Sequence, residues 1–235
     1  MRPTDDRTTD GGEGAARAAV FDVDGTLVDT NYLHVTAWWE ALRQAGHDVP
    51  TQAIHRAIGL GSSDLVAHLL GADRAREEAE ALSGAHKALY GQYFGRLKAL
   101  PEAGQLLRRL ADDGWKVVLA TSAGGQELSA LRTALDADEA ICGMASADDV
   151  SEGKPAPEPV ARALELAGAV PRRSVFVGDT EWDMQAGSSA GVTCVGLLCG
   201  GLPREDLAKA GADAVYDGPD HLLASLARSP LSPRQ

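Results

Sequence analysis

The sequence predicts a doubly wound parallel α/β sheet carrying an inserted helical domain. Three observations carry that prediction. Short apolar runs bounded by turn residues recur along the chain, helical patterns alternate with the later ones, and a helical stretch of about 70 residues interrupts the rhythm after the first run.

The first run, Ala18-Ala19-Val20-Phe21, reads as a buried strand, because a strand covered on both faces needs no polar alternation. The interruption follows directly, from Thr30 to Leu97, with helices expected over Tyr32 to Ala45, Gln52 to Ile58, Ser63 to Leu70 and Arg74 to Phe94, the last broken near Gly84. Strand and helix then alternate. Ala103 to Ala111 is helical, Lys116-Val117-Val118-Leu119-Ala120 a strand, and Pro157 to Ala167 helical. Ser174-Val175-Phe176-Val177 is a strand, Trp182 to Ala190 helical, Val192-Thr193-Cys194-Val195 a strand, Arg204 to Ala210 helical, and Ala214-Val215-Tyr216 the last strand. The division expected is an α/β core over 16–29 and 98–228, a helical cap over 30–97, and disordered tails over 1–15 and 229–235. An insert placed just past a strand's carboxyl end hangs over the edge where such sheets bind ligands, so it is expected to act as a lid.

With 235 residues, 44% of them hydrophobic and 24% charged, the composition is that of an ordinary globular protein, and no run is long enough for a membrane helix. The opening stretch has no apolar signal-like segment, so a cytoplasmic location is expected. A net charge of −12 repels nucleic acid and anionic membranes, and neither is an expected partner. Cys142, Cys194 and Cys199 form no CxxC pair and read as small buried residues.

Four polar stretches follow predicted strands or precede helices. Phe21-Asp22-Val23-Asp24-Gly25-Thr26 leaves the first strand with two carboxylates two residues apart, on one face if the chain stays extended; by itself it is equally an Asp-rich turn with a helix cap. Ala120-Thr121-Ser122-Ala123-Gly124-Gly125 leads from a strand into a helix and is either a cap or an anion site. In Gly153-Lys154-Pro155-Ala156-Pro157, a proline restrains a lysine that is otherwise a solvated loop residue. Val177-Gly178-Asp179-Thr180-Glu181-Trp182-Asp183 ends a strand with two acids four residues apart, as capping residues or as oxygen donors.

Together, in this order, these stretches resemble the four motifs of the haloacid dehalogenase superfamily: DxDGT, a strand-ending Thr, a Lys before Pro, and GDxxxD, over about Arg17 to Leu226. The resemblance implies a Rossmann-like core and a Mg²⁺-dependent phosphatase acting on a small phosphorylated metabolite, such as a sugar phosphate or a phosphoglycolate-like ester. It makes Asp22 the nucleophile that becomes an aspartyl phosphate and Asp24 the general acid and base. Thr121, Ser122 and Lys154 become the phosphate-binding residues. Asp22, the Asp24 carbonyl, Asp179 and Asp183 become the metal site. An acid at Asp24 favours phosphate esters, since relatives that cleave carbon–halogen or phosphonate bonds generally lack one there.

The insert is similar to the small α-helical caps of the phosphoglycolate phosphatase and β-phosphoglucomutase group. In that group His34 corresponds to a histidine coupling cap closure to proton transfer, whereas Trp38 reads as core. Ser62 and Ser63, in the loop Gly59 to Asp64, stand where the sugar-phosphate mutase carries an arginine for its second phosphate, and a neutral serine is no substitute for a bidentate guanidinium. Phosphomutase activity is therefore the alternative reading. A non-catalytic binding protein ranks below both, because none of Asp22, Asp24, Lys154 and Asp179 is lost.

Overall fold

The computed structural model describes residues 16–233. The tail expected over 1–15 lies outside the described residues, as do 234 and 235 of the tail expected over 229–235. The remainder of that second expectation needs correcting. Ser229 and Leu231 are buried, with Leu231 in one apolar cluster with Leu222 and Leu226, so the core reaches past 228.

The first strand, β1 (Ala18–Phe21), is followed by four helices of the insert: α1 (Asn31–Gln44), α2 (Thr51–Ala57), α3 (Ser62–Leu70) and α4 (Ala72–Gly91). The expected break near Gly84 is absent. α4 runs through it, since one exposed glycine costs only about 1 kcal/mol of helix propensity and the buried stripe of Ala79, Leu82, His86 and Tyr90 outweighs that. The chain leaves and re-enters the core side by side: Asp29 N donates to the Lys98 carbonyl at 3.0 Å and Leu100 N to that of Leu27 at 2.8 Å. The insert has its own apolar centre, built on Val35, Trp38, Leu42, Ile54, Leu65 and Leu82.

Beyond the insert, α5 (Ala103–Asp112), β2 (Lys116–Ala120), α6 (Gly125–Leu135), β3 (Ile141–Ala145) and α7 (Glu158–Ala167) follow in order. The chain then forms β4 (Val175–Gly178), α8 (Glu181–Ser189), β5 (Thr193–Leu197), α9 (Arg204–Ala210), β6 (Ala214–Tyr216) and α10 (Pro219–Ala224). All strand pairs are parallel, in the order β3-β2-β1-β4-β5-β6. Alternate side chains of the central strands feed two cores. Ala19, Phe21, Val117, Leu119, Val175 and Val177 face α5, α6 and α10, while Ala18, Val20, Val118 and Phe176 face α7, α8 and α9.

β3 is the strand that the sequence pattern misses. It lies at a sheet edge and is mostly half-exposed, so Ile141-Cys142-Gly143-Met144 need not form an apolar run. For the same reason Cys142 is exposed, correcting its expected burial; Cys194 is buried and Cys199 half-buried. No helix among the described residues is long and apolar enough to cross a membrane.

The strand order reverses direction between β1 and β4. Loops leaving the carboxyl ends of two such strands diverge and open a crevice, the usual ligand site of an open parallel sheet.

Candidate active site

Sheet register brings the first and fourth sequence motifs together. Phe21 pairs with Val177, and Asp22 N continues the ladder by donating to the Val177 carbonyl at 2.9 Å. Asp22 and Asp179 therefore leave adjacent strands at nearly the same level. Asp183 joins them from the first turn of α8, and the carboxylate oxygens of all three lie within 4.8 Å of one another. Asp183 does two things at once. Its Oδ2 accepts from Thr180 N at 3.0 Å in a capping box, while its Oδ1 faces the Lys154 ammonium at 2.7 Å. Lys154, held before α7, also donates to Asp22.

These four groups are buried: three carboxylates against one ammonium. Burial pushes the Asp22 carboxyl well above its ordinary range; Lys154 opposes that and the neighbouring aspartates reinforce it. Asp179 is driven up to about 7 by burial and by Asp183, against hydrogen bonds from Thr26 Oγ1 and Asn31 Nδ2, each 2.7 Å long. Burial works against a charged Lys154, yet Asp183 and Asp22 outweigh it and hold the ammonium above its usual range. Three buried oxygen donors with surplus negative charge suit a small, hard divalent cation.

Asp24 faces elsewhere. Its Oδ1 accepts from Thr30 Oγ1 at 2.8 Å and from His34 Nε2 at 3.2 Å. Burial alone raises Asp24, but the His34 hydrogen bond and charge, then Thr30 and Lys154, bring it below its ordinary value. His34 responds in the opposite sense: burial lowers it, and Asp24 and Glu127 more than restore it. Its ring stacks on Tyr90 at 3.8 Å between centroids, and its Nδ1 lies 3.1 Å from His86 Nε2. Burial first, then the His34 charge, depresses His86 to about 3. The neutral His86 thus accepts from a charged His34, which in turn donates to Asp24.

Asp22 and Asp24, although two residues apart, do not form one carboxylate pair. They line one cavity of about 370 Å³ while their side chains belong to different clusters. The same cavity is lined by Thr121, Ser122 and Lys154 from the core and by His34, Ser62 and Ser63 from the insert. Asp179 and Asp183 lie behind it as fully buried groups. Trp38 is both core, as expected, and cavity wall. Arg56 points away, at 3.1 Å from Glu181 and 3.0 Å from Asp206.

Sequence reasoning missed five residues here. Thr26 and Asn31 brace Asp179; Thr26 sat inside a recognised motif, but its partner lies 153 positions on. Glu127, half-buried and 3.6 Å from His34 Nε2, carried only the ordinary signature of an acid in a first helical turn. His86 and Lys87 sat on a long, mostly polar helix with nothing to single them out.

The model for haloacid dehalogenase-like hydrolases matches residues 16–191. A phosphoglycolate phosphatase from Yersinia pestis is 30% identical over 207 residues, covering 86% of this chain and 89% of its own. One from Salmonella typhimurium is 29% identical, covering 89% and 92%. Among solved structures, a hydrolase from Pseudomonas syringae superposes with a TM-score of 0.83 at 35% identity, covering 91% of this chain and 98% of that one. A β-phosphoglucomutase from Clostridium difficile has a TM-score of 0.79 at 20% identity, covering 92% and 97%, a likeness that shows the fold alone.

Proposed function

The chain belongs to the haloacid dehalogenase-like hydrolase family, and from that premise we propose that it is a magnesium-dependent phosphatase releasing phosphate from a small phosphomonoester through a phosphoaspartate on Asp22. One observation carries the reading: Asp22, Asp179, Asp183 and Lys154 form a single buried group where β1 and β4 end. Such a group costs stability by itself and is useful where a dianion and a cation must be held together.

In this reading an Asp22 oxygen attacks phosphorus, and the bond to the ester oxygen breaks as the new bond forms. Asp24 takes up the proton that the charged His34 holds against it and passes it to the departing alkoxide. Thr121 and Ser122 hold phosphoryl oxygens, and Lys154 offsets charge gathering beside Asp22. In the second half Asp24 takes a proton from water, whose oxygen attacks the phosphoaspartate, releasing phosphate and restoring Asp22. Asp22, the Asp24 carbonyl, Asp179 and Asp183 would hold magnesium, whose charge stabilises the phosphoryl oxygens when it is bound. His34 keeps Asp24 oriented toward the insert side of the cavity. Phosphoglycolate phosphatases among the relatives support a small ester of that kind or a sugar phosphate as substrate. Phosphomutase activity is not favoured, because Arg56 is committed to Glu181 and Asp206 and no arginine among the described residues lines the cavity.

The test is turnover of an aryl phosphate, which chelator should abolish and magnesium restore; full activity in excess chelator would end the proposal. A second expected result concerns pH. Asp179 has an ordinary value of 3.8 unfolded and about 7 in the metal-free fold, so the fold binds the extra proton between those values and loses stability as pH rises through them. A bound cation relieves that loss. The rise in melting temperature on adding magnesium should therefore be small near the bottom of this window and grow toward its top, and scanning calorimetry with and without magnesium measures it.

A further inference from the structure

Building on the phosphatase reading, we infer that Lys87, together with Ser83, is the specificity site for a carboxylate at the far end of the substrate. Both residues lie on α4, line the cavity and are four positions apart, which puts them on one helix face. Among the described residues, two ammonium groups line the cavity. Lys154 is buried between Asp22 and Asp183, whereas Lys87 is exposed and makes no hydrogen bond or ion pair among the described residues. Lys87 is thus the ammonium free to meet a ligand.

His86 also lines the cavity and is only 5% exposed, and its Nδ1 has no partner among the described residues. That nitrogen is fully buried, so His86 forms the wall beside Lys87 and does not itself meet a ligand. Among the acids of the cavity, Glu127 feels the Lys87 charge, yet burial first and then Asp24 push its carboxyl up to about 7. Glu127 is 3.6 Å from His34 Nε2, and Asp64 belongs to the rim at Gly61 and Gly153.

Charge decides between two kinds of anion. A second phosphate is a dianion best met by a guanidinium fork, and none among the described residues lines the cavity. One ammonium and one hydroxyl match a monoanionic carboxylate.

The test compares 2-phosphoglycolate with ethyl phosphate, which replaces the carboxylate by a methyl group, using the full chain with magnesium. Wild type should favour phosphoglycolate in kcat/KM by roughly 10- to 100-fold, the worth of one charged hydrogen-bonded contact. Lys87→Ala should bring that ratio close to one through KM for phosphoglycolate, and Lys87→Arg should restore most of it. A ratio that Lys87→Ala leaves unchanged would overturn the carboxylate site while phosphate release continued. Absence of release from both esters and from an aryl phosphate would overturn the phosphatase reading and this inference together.

Discussion

Replacing Asp22 by asparagine is expected to remove turnover altogether, by at least about 10⁴-fold, and to remove covalent phosphate labelling with it. The amide has nearly the shape of the carboxylate but no anionic oxygen to attack phosphorus. The substitution also takes one charge from a buried group in which three acids face one ammonium. The metal-free variant should therefore fold at least as well as the parent, because burial and the neighbouring aspartates already push the Asp22 carboxyl toward its neutral form. Rapid acid quench after exposure to labelled substrate measures the phosphoenzyme, and circular dichroism measures the fold. Labelled protein from the asparagine variant would place the nucleophile elsewhere.

Asp24→Asn is expected to slow phosphoenzyme formation, read as kcat/KM, by roughly 10²–10⁴ for alkyl phosphates and by much less for aryl phosphates, whose leaving groups depart without a proton. The split arises because the Asp24 side chain lies outside the Asp22, Asp179 and Asp183 cluster and is held by Thr30 and His34. Phosphate binding should survive, and labelling of Asp22 by an aryl phosphate should persist or accumulate, since hydrolysis of the phosphoenzyme also needs the missing base. A series of esters of graded leaving-group acidity reads this directly. Equal losses across the series would exclude Asp24 as the proton donor.

Much of the molecule was legible in the sequence because the information is local. A strand buried on both faces announces itself as an apolar run, so β1 and β2 are readable residue by residue, and β4 and β5 to within one or two residues at each end. Asp22, Thr121 and Asp179 sit immediately past such runs, where backbone geometry alone delivers them to one edge of the sheet. Edge strand β3 escaped because half-exposure removes the apolar signature. α4 was expected to break at Gly84 because local propensity was weighed without the buried stripe that overrides it.

What the sequence determined by itself was the sheet except β3, the insert, the acids and threonine that follow strands, and the lysine ahead of a helix. It did so because strand burial and strand-end position repeat with short periods along the chain. Only the tertiary structure decided how those groups divide. Asp22 turns to Lys154, Asp183 and Asp179 while Asp24 turns to His34. Asp179 is braced by Thr26 and Asn31. His86 and Lys87 reach the cavity wall while Arg56 is drawn off to Glu181 and Asp206. Each of these contacts joins positions far apart in the chain, and its energy depends on burial and on the directions in which side chains leave packed elements, which no local pattern encodes.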